Sequence, residues 1–119
     1  IKAKKQPKPV RYGQTFLIHH ANELVVERRP DKGLLAGMLG LPTTEWMKLD
    51  SEKDLPEPSG AAGRYLGRVE HVFTHFRLYL DVFEQTGKEI TNPLTVSLDE
   101  AMNSGLPSVF AKAVRQLQR

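Results

Sequence analysis

Residues 65–83, YLGRVEHVFTHFRLYLDVF, narrow what this chain can fold into more than any other segment. From position 71 onward the side chains alternate. Val72, Thr74, Phe76, Leu78, Leu80 and Val82 share one face, and His71, Phe73, His75, Arg77, Tyr79, Asp81 and Phe83 share the other. A period of two in a run rich in β-branched and aromatic residues specifies extended chain. Strands in globular proteins are usually about 5–6 residues long, so a run of this length has to break or turn within itself. The break is expected near Thr74, the one polar member of the apolar face.

The flanking segments supply further strands and one clear helix. Thr15 to His19 and Leu24 to Arg28 are short apolar or β-branched runs around Ala21-Asn22, the pattern of a hairpin. In it Val25 and Glu27 would face one way and Leu24, Val26 and Arg28 the other. Residues 33–46 are apolar but carry Gly33, Gly37, Gly40 and Pro42, which favours a packed loop ending in a short extended piece. Residues 47–63 are polar and broken by Pro56, Pro58, Gly60 and Gly63, a surface excursion with one weak turn around Ser51 to Leu55. Ser97 and Glu100 have the spacing of a capping box, and Gly105 would close the short helix that follows. Val109, Phe110, Ala113, Val114 and Leu117 repeat at helical spacing, with Pro107 suited to the first turn. The sum is α+β: a mixed sheet packed with one or two helices.

Charge is unevenly placed. Of 17 basic and 14 acidic side chains, Lys2, Lys4, Lys5, Lys8 and Arg11 fall in residues 1–11 with no acid beside them. Residues 12–119 are then slightly acidic. Residues 1–11, with Pro7 and Pro9, read as a basic, extended linker, and 12–119 as a single domain. The chain has no Cys, which removes disulfides, thiolate nucleophiles, iron–sulfur ligation and Cys-ligated zinc. No apolar run approaches the length of a membrane span, and the start does not resemble a signal peptide.

Candidate chemistry is sparse. His71 and His75 are spaced as on a zinc-binding helix, but in a strand the same interval covers about 13 Å, too far for one ion. Ser59-Gly60 and Ser104-Gly105 lack the frame of a nucleophile turn. Glycines 33, 37 and 40 lack the Gly-Lys-Ser/Thr of a phosphate loop. Clamping Mg²⁺ on a pyrophosphate requires several converging carboxylates. The one adjacent pair is Asp99-Glu100, which the capping box explains, while Glu52, Asp54 and Glu57 lie in a proline-broken stretch. No catalytic residue and no metal ligand is therefore assigned. Nucleic-acid binding fares better, because Arg64, Arg68, His71, Phe73, Thr74, His75 and Arg77 crowd into fourteen residues. A third possibility is a protein-docking module using Leu34, Leu35, Met38, Leu39 and Trp46 as an exposed apolar patch.

Three blocks carry a resemblance. ELVVERRPDKGLLAGMLGLPTTEW at 23–46, VEHVFTHF at 69–76 and GLPSVFAKAVRQL at 105–117 resemble the C-terminal domain of MutY-type A/G-specific adenine DNA glycosylases. The resemblance implies a Nudix-like fold. A working Nudix box, Gly-x5-Glu-x7-Arg-Glu-x2-Glu-Glu-x-Gly, is missing: Thr43 and Trp46 stand six residues after Gly37 and Gly40, and no Arg-Glu or Glu-Glu pair occurs. It further implies a non-catalytic domain that reads 8-oxoguanine opposite adenine in duplex DNA for base excision repair, while an N-terminal domain of the same protein excises the adenine. The iron–sulfur cluster would belong to that other domain, leaving this one without a cofactor.

Residues 73–75 match the family's Phe-Ser-His signature, with Thr74 keeping the hydroxyl. Phe73, Thr74 and His75 are thus the expected lesion contacts, and Lys4, Lys5, Lys8, Arg11, Arg64, Arg68 and Arg77 the candidates for backbone phosphates. A monomer in the bacterial cytoplasm, with DNA and its own catalytic domain as partners and no membrane, completes the expectation. The alternatives are an active Nudix hydrolase of an oxidised nucleotide and the docking module.

Overall fold

A computed structural model describes residues 8–58, 63–86 and 94–117. The long alternating segment folds back on itself: β6 is Arg64–Val72 and β7 is Arg77–Gln85, an antiparallel pair whose last register pair is Val72 with Arg77. The turn falls where the sequence places it, across Phe73 to Phe76.

Ahead of this pair come β1 (Val10–His20), β2 (Glu23–Val25), β3 (Glu27–Arg28), β4 (Leu39–Gly40) and β5 (Met47–Leu49), and β8 (Thr95–Ser97) follows it. The main sheet runs β6-β7-β1-β2-β8, with β5 also on β1, and β3 pairs with β4 separately. β1 lies parallel to β7 and antiparallel to β2, β5, so the sheet is mixed. The fold class is α+β, as the alternation and the terminal helix imply. β1 begins at Val10, so the last two residues of the stretch read as a linker belong to the sheet.

The β1–β2 hairpin turns on Ala21 and Asn22, whose φ angles are +49° and +65°. Positive φ at both central residues is the two-residue turn that matches the twist of flanking strands. Leu24, Val25 and Val26 are all buried. The expected two-sided alternation is lost there because both faces of this short strand are covered.

Helix α1 (Ser108–Leu117) lies against the sheet and buries Val109, Phe110, Ala113 and Val114. These meet Leu17, Val69, Leu78, Leu80 and Val82 in one core. Pro107 lends its carbonyl to the amides of Phe110 and Ala111 at 3.0 Å, which starts the helix. Among the described residues no helix is long and apolar enough to cross a membrane.

The expected capping box does not form. Residues Leu98–Asn103 make a 3-10 turn, and Ser97 makes no side-chain cap hydrogen bond. Its hydroxyl accepts instead from Asn22 Nδ2 at 3.2 Å, so the β1–β2 turn has taken the group that would have capped a helix.

The other sheet face hides a charge. Asp81 is fully buried and accepts from the Tyr12 hydroxyl at 2.5 Å, the Tyr65 hydroxyl at 3.1 Å and Arg68 at 2.8 and 3.0 Å. Arg68 also donates to the Pro56 carbonyl at 2.6 Å, which ties the polar excursion to the sheet. Burial, then the neighbouring Asp81, holds both phenols above the ordinary tyrosine range.

Gly13 marks a close approach of a side chain to the β1 backbone. A Cβ there would stand 2.6 Å from Trp46 Cδ1, so the indole lies directly on the β1 backbone. Gly13→Val is expected to displace Trp46 and lower stability by about 1–3 kcal/mol, read as a reduced midpoint in urea unfolding.

Candidate nucleic-acid interface

Three of the expected site residues, Phe73, Thr74 and His75, come together in the β6–β7 turn. The Phe73 amide donates to the Phe76 carbonyl at 2.8 Å, which leaves Thr74 and His75 at the tip. Both tip residues are exposed. Among the described residues the Thr74 hydroxyl has no hydrogen-bond partner. Thr74 therefore does not pack in the core.

Phe73 is held beneath the tip by other rings. Its centroid lies 4.8 Å from Phe76, 4.7 Å from His71 in an edge-on contact, and 6.4 Å from the stacked Trp46. Aromatic pairs at these separations add to the burial of their surface. The turn is thus carried on an aromatic base, and two of its flanking residues are anchors.

Two of the expected phosphate-binding cations adjoin this tip. Lys8 Nζ donates to the Phe73 carbonyl at 3.0 Å, and the Arg11 guanidinium lies 4.2 Å above the Phe76 ring. Arg64, Arg68 and Arg77 are engaged within the chain. Arg68 belongs to the buried Asp81 network. Arg64 pairs with Glu84 at the far end of β6, where Glu84 also bonds His19 at 2.8 Å. Arg77 pairs with Glu52 at 2.8 Å and Glu70 at 3.3 Å. Between those carboxylates the Tyr79 hydroxyl is pushed up to about 12, chiefly by burial and then by its bond to Glu52. Strand alternation places such arginines on a face but cannot show which carboxylates stand across it. Lys4 and Lys5 lie outside the described residues.

Beside the aromatic base opens a groove of about 490 Å³, lined by Arg11, Arg29, Lys32, Thr43, Thr44 and Trp46, with Glu27 and Glu45 also on its wall. Arg29 stacks 4.9 Å above the Trp46 ring, and Trp46 Nε1 donates to Thr43 Oγ1 at 3.1 Å. The Nε atoms of Arg11 and Arg29 are buried without a hydrogen-bond partner. Sequence alone does not single out Arg29 and Lys32, and it places Trp46 only in the apolar patch. The signal that could have found Trp46 is its status as the sole tryptophan in the chain, opposite a strand glycine.

Leu34, Leu35, Leu39 and Trp46 pack partly buried against the core, and Met38 alone of that group is largely exposed. The apolar docking patch is therefore not present as a surface. Among the described residues no three His, Cys, Asp or Glu side chains converge as metal ligands. Asp99 faces the Asn22 amide at 3.2 Å, and Glu52 faces Arg77.

The mixed sheet with its flanking helix has a counterpart in a known family. The sequence profile of the NUDIX domain matches residues 14–116. The chain belongs to the NUDIX family. Its fold is similar to that of the MutT protein from Methanosarcina mazei Go1, with a TM-score of 0.67 at 20% identity over 97% of each chain. It is also similar to a MutT NUDIX hydrolase from Burkholderia pseudomallei, with a TM-score of 0.62 at 18% identity over 91% of this chain and 98% of that one. The NUDIX domain of Shewanella oneidensis NrtR, solved with ADP ribose, matches at 0.55 and 9% identity over 96% and 88%. At these identities the likeness establishes the fold of this NUDIX domain alone. A search of curated proteins finds no match. None of these likenesses separates the C-terminal domain of an adenine glycosylase from other NUDIX domains.

Proposed function

We propose that this NUDIX domain reads 8-oxoguanine in duplex DNA and leaves excision of the opposing adenine to a separate domain of a MutY-type glycosylase. The supporting observation is the Thr74 hydroxyl, exposed at the tip of a tight turn backed by four rings. Guanine offers acceptors at N7 and O6 on its major-groove edge. Oxidation at C8 puts a hydrogen on N7, so a hydroxyl that accepts there distinguishes the lesion from guanine. Lys8 and Arg11 stand close enough to the tip to serve flanking phosphates, with His75 beside Thr74. In this reading the domain works without a cofactor, as a monomer on DNA inside a bacterial cell, and any iron–sulfur cluster sits in the excising domain.

The test is a titration of labelled duplexes carrying 8-oxoguanine or guanine opposite adenine, at one low salt concentration. Tighter binding of the lesion duplex is expected. Thr74→Ala is expected to reduce that preference by about 3–10-fold, the worth of one hydrogen bond, while changing unfolding stability by less than ~0.5 kcal/mol. Equal affinity of the wild-type chain for both duplexes would sink the proposal.

The solved relatives favour a second reading, since two of them are MutT proteins and one of those a NUDIX hydrolase. In that reading the groove beside Trp46 takes an oxidised nucleotide, with Arg11, Arg29 and Lys32 toward its phosphates. The lack of a Nudix box and of converging carboxylates among the described residues weighs against it. Turnover of 8-oxo-dGTP with Mg²⁺ by the purified chain would establish it over the first.

A further inference from the structure

Helix α1 does more than cover the sheet, because one of its side chains grips the strand that leads into the turn. Lys112 Nζ donates to the Glu70 carbonyl at 3.0 Å and lies 3.1 Å from His71 Nδ1. An ammonium has three donors and no acceptor, so it bonds this ring nitrogen only when Nδ1 carries no proton. The contact therefore selects the neutral ring with its hydrogen on Nε2. That ring meets Phe73 edge-on at 4.7 Å, and the Phe73 amide closes the turn that displays Thr74. A continuous line of contact runs from the helix to the residue before the tip.

We propose that Lys112 is a positioning residue for the 73–76 turn, holding His71 in its neutral Nε2–H form as the edge support of Phe73 and so fixing where the Thr74 hydroxyl is presented. Its consequence for DNA rests on the lesion-reading proposal; the support itself is a property of the fold.

Among the described residues the charged surroundings of His71 are simple. Lys112 faces it from α1, its cross-strand neighbour on β7 is Leu78, and the adjacent Glu70 is turned to Arg77 on the other sheet face. Burial, and after it the Lys112 charge, holds the imidazole below the ordinary histidine range. With its folded value depressed, His71 favours the folded state fully above the unfolded value near 6.5. That contribution is lost as pH falls through the lower, folded value. Protonation then places a donor on Nδ1 against an ammonium, and the support is released.

The experiment follows the His71 ring and the Phe73 amide by NMR across a pH titration of the whole chain, in wild type and in Lys112→Met and Lys112→Arg. The same proteins are titrated with 8-oxoguanine and guanine duplexes opposite adenine. In Lys112→Met the His71 midpoint is expected to rise, Phe73 amide exchange to quicken, and lesion preference to fall by about threefold or more. Lys112→Arg, which keeps donor and charge, should keep most of the preference. A His71 midpoint unchanged in Lys112→Met overturns the proposal. So does an unchanged preference in that variant when the wild type has one.

A wild type with no preference at any pH defeats the lesion reading instead. Phe73 exchange in Lys112→Met then decides alone, faster exchange supporting the support role and unchanged exchange ending it. Should Lys112→Met fail to fold, the wild-type chain still decides, since the protection of its Phe73 amide, taken relative to the intrinsic exchange rate at each pH, must fall as His71 takes up its proton.

Discussion

Replacing Asp81 with alanine is expected to lower the free energy of unfolding by about 3–5 kcal/mol, a large share of the roughly 5–15 kcal/mol that holds a domain folded. The carboxylate is fully buried and receives two tyrosine hydroxyls and the Nε and Nη2 of Arg68. Its removal strands a guanidinium that is only partly in water and releases the Arg68 contact with Pro56. The size of the effect comes from the unpaired partner more than from the lost attraction. A double replacement that removes both charges, Asp81→Leu with Arg68→Met, should therefore be milder than Asp81→Ala alone. Urea unfolding followed by circular dichroism measures all three. A double variant no better than the single would show that the network is not what Asp81 supports.

Phe73→Ala is expected to cost about 2–3 kcal/mol, toward the low end for an aromatic truncation because the ring is only partly buried. The loss should be concentrated at the turn, where Phe73 meets Phe76, His71 and Trp46, and appear as faster exchange of the Phe73 and Arg77 amides. The contrast with Thr74→Ala is the informative part. One residue of the pair is expected to carry the turn's rigidity and its neighbour the contact chemistry. A Phe73→Ala chain as stable as wild type would mean the rings touch without supporting the turn. A direct lesion contact by Phe73, as the family resemblance implies, would require the ring to leave this packing, whereas Thr74 and His75 are exposed without any rearrangement.

The turn itself was legible because a period of two cannot run through nineteen residues of one strand, and Thr74 broke its polarity pattern. The terminal helix was legible from its spacing, and the β1–β2 hairpin from two short runs about a small-polar pair. What escaped detection depended on neighbours distant in sequence. Asp81 looked like an outward residue of an alternating strand. β7 is a central strand flanked by β1 and β6, and the excursion through Pro56 helps to cover its second face. β5 has only three residues, two of them exposed, and no pattern of that length stands out.

The Ser97 capping box failed because a competing donor, Asn22, arrives from 75 positions away. Among the candidate phosphate contacts, residue type alone could not separate Lys8 and Arg11 at the tip from Arg64, Arg68 and Arg77 in ion pairs.

The contacts of Lys8 and Pro9 bear on geometry at a larger scale. Lys8 donates to the Phe73 carbonyl, and the Pro9 carbonyl accepts from the Arg77 amide at 2.8 Å, so the chain is fastened to both sides of the turn before β1 begins. The place where the polypeptide joins the sheet and the place where Thr74 is displayed are one corner of the molecule. A displacement entering the chain at Lys8 and Pro9 is therefore passed first to the 73–76 turn, and only then to the rest of the sheet.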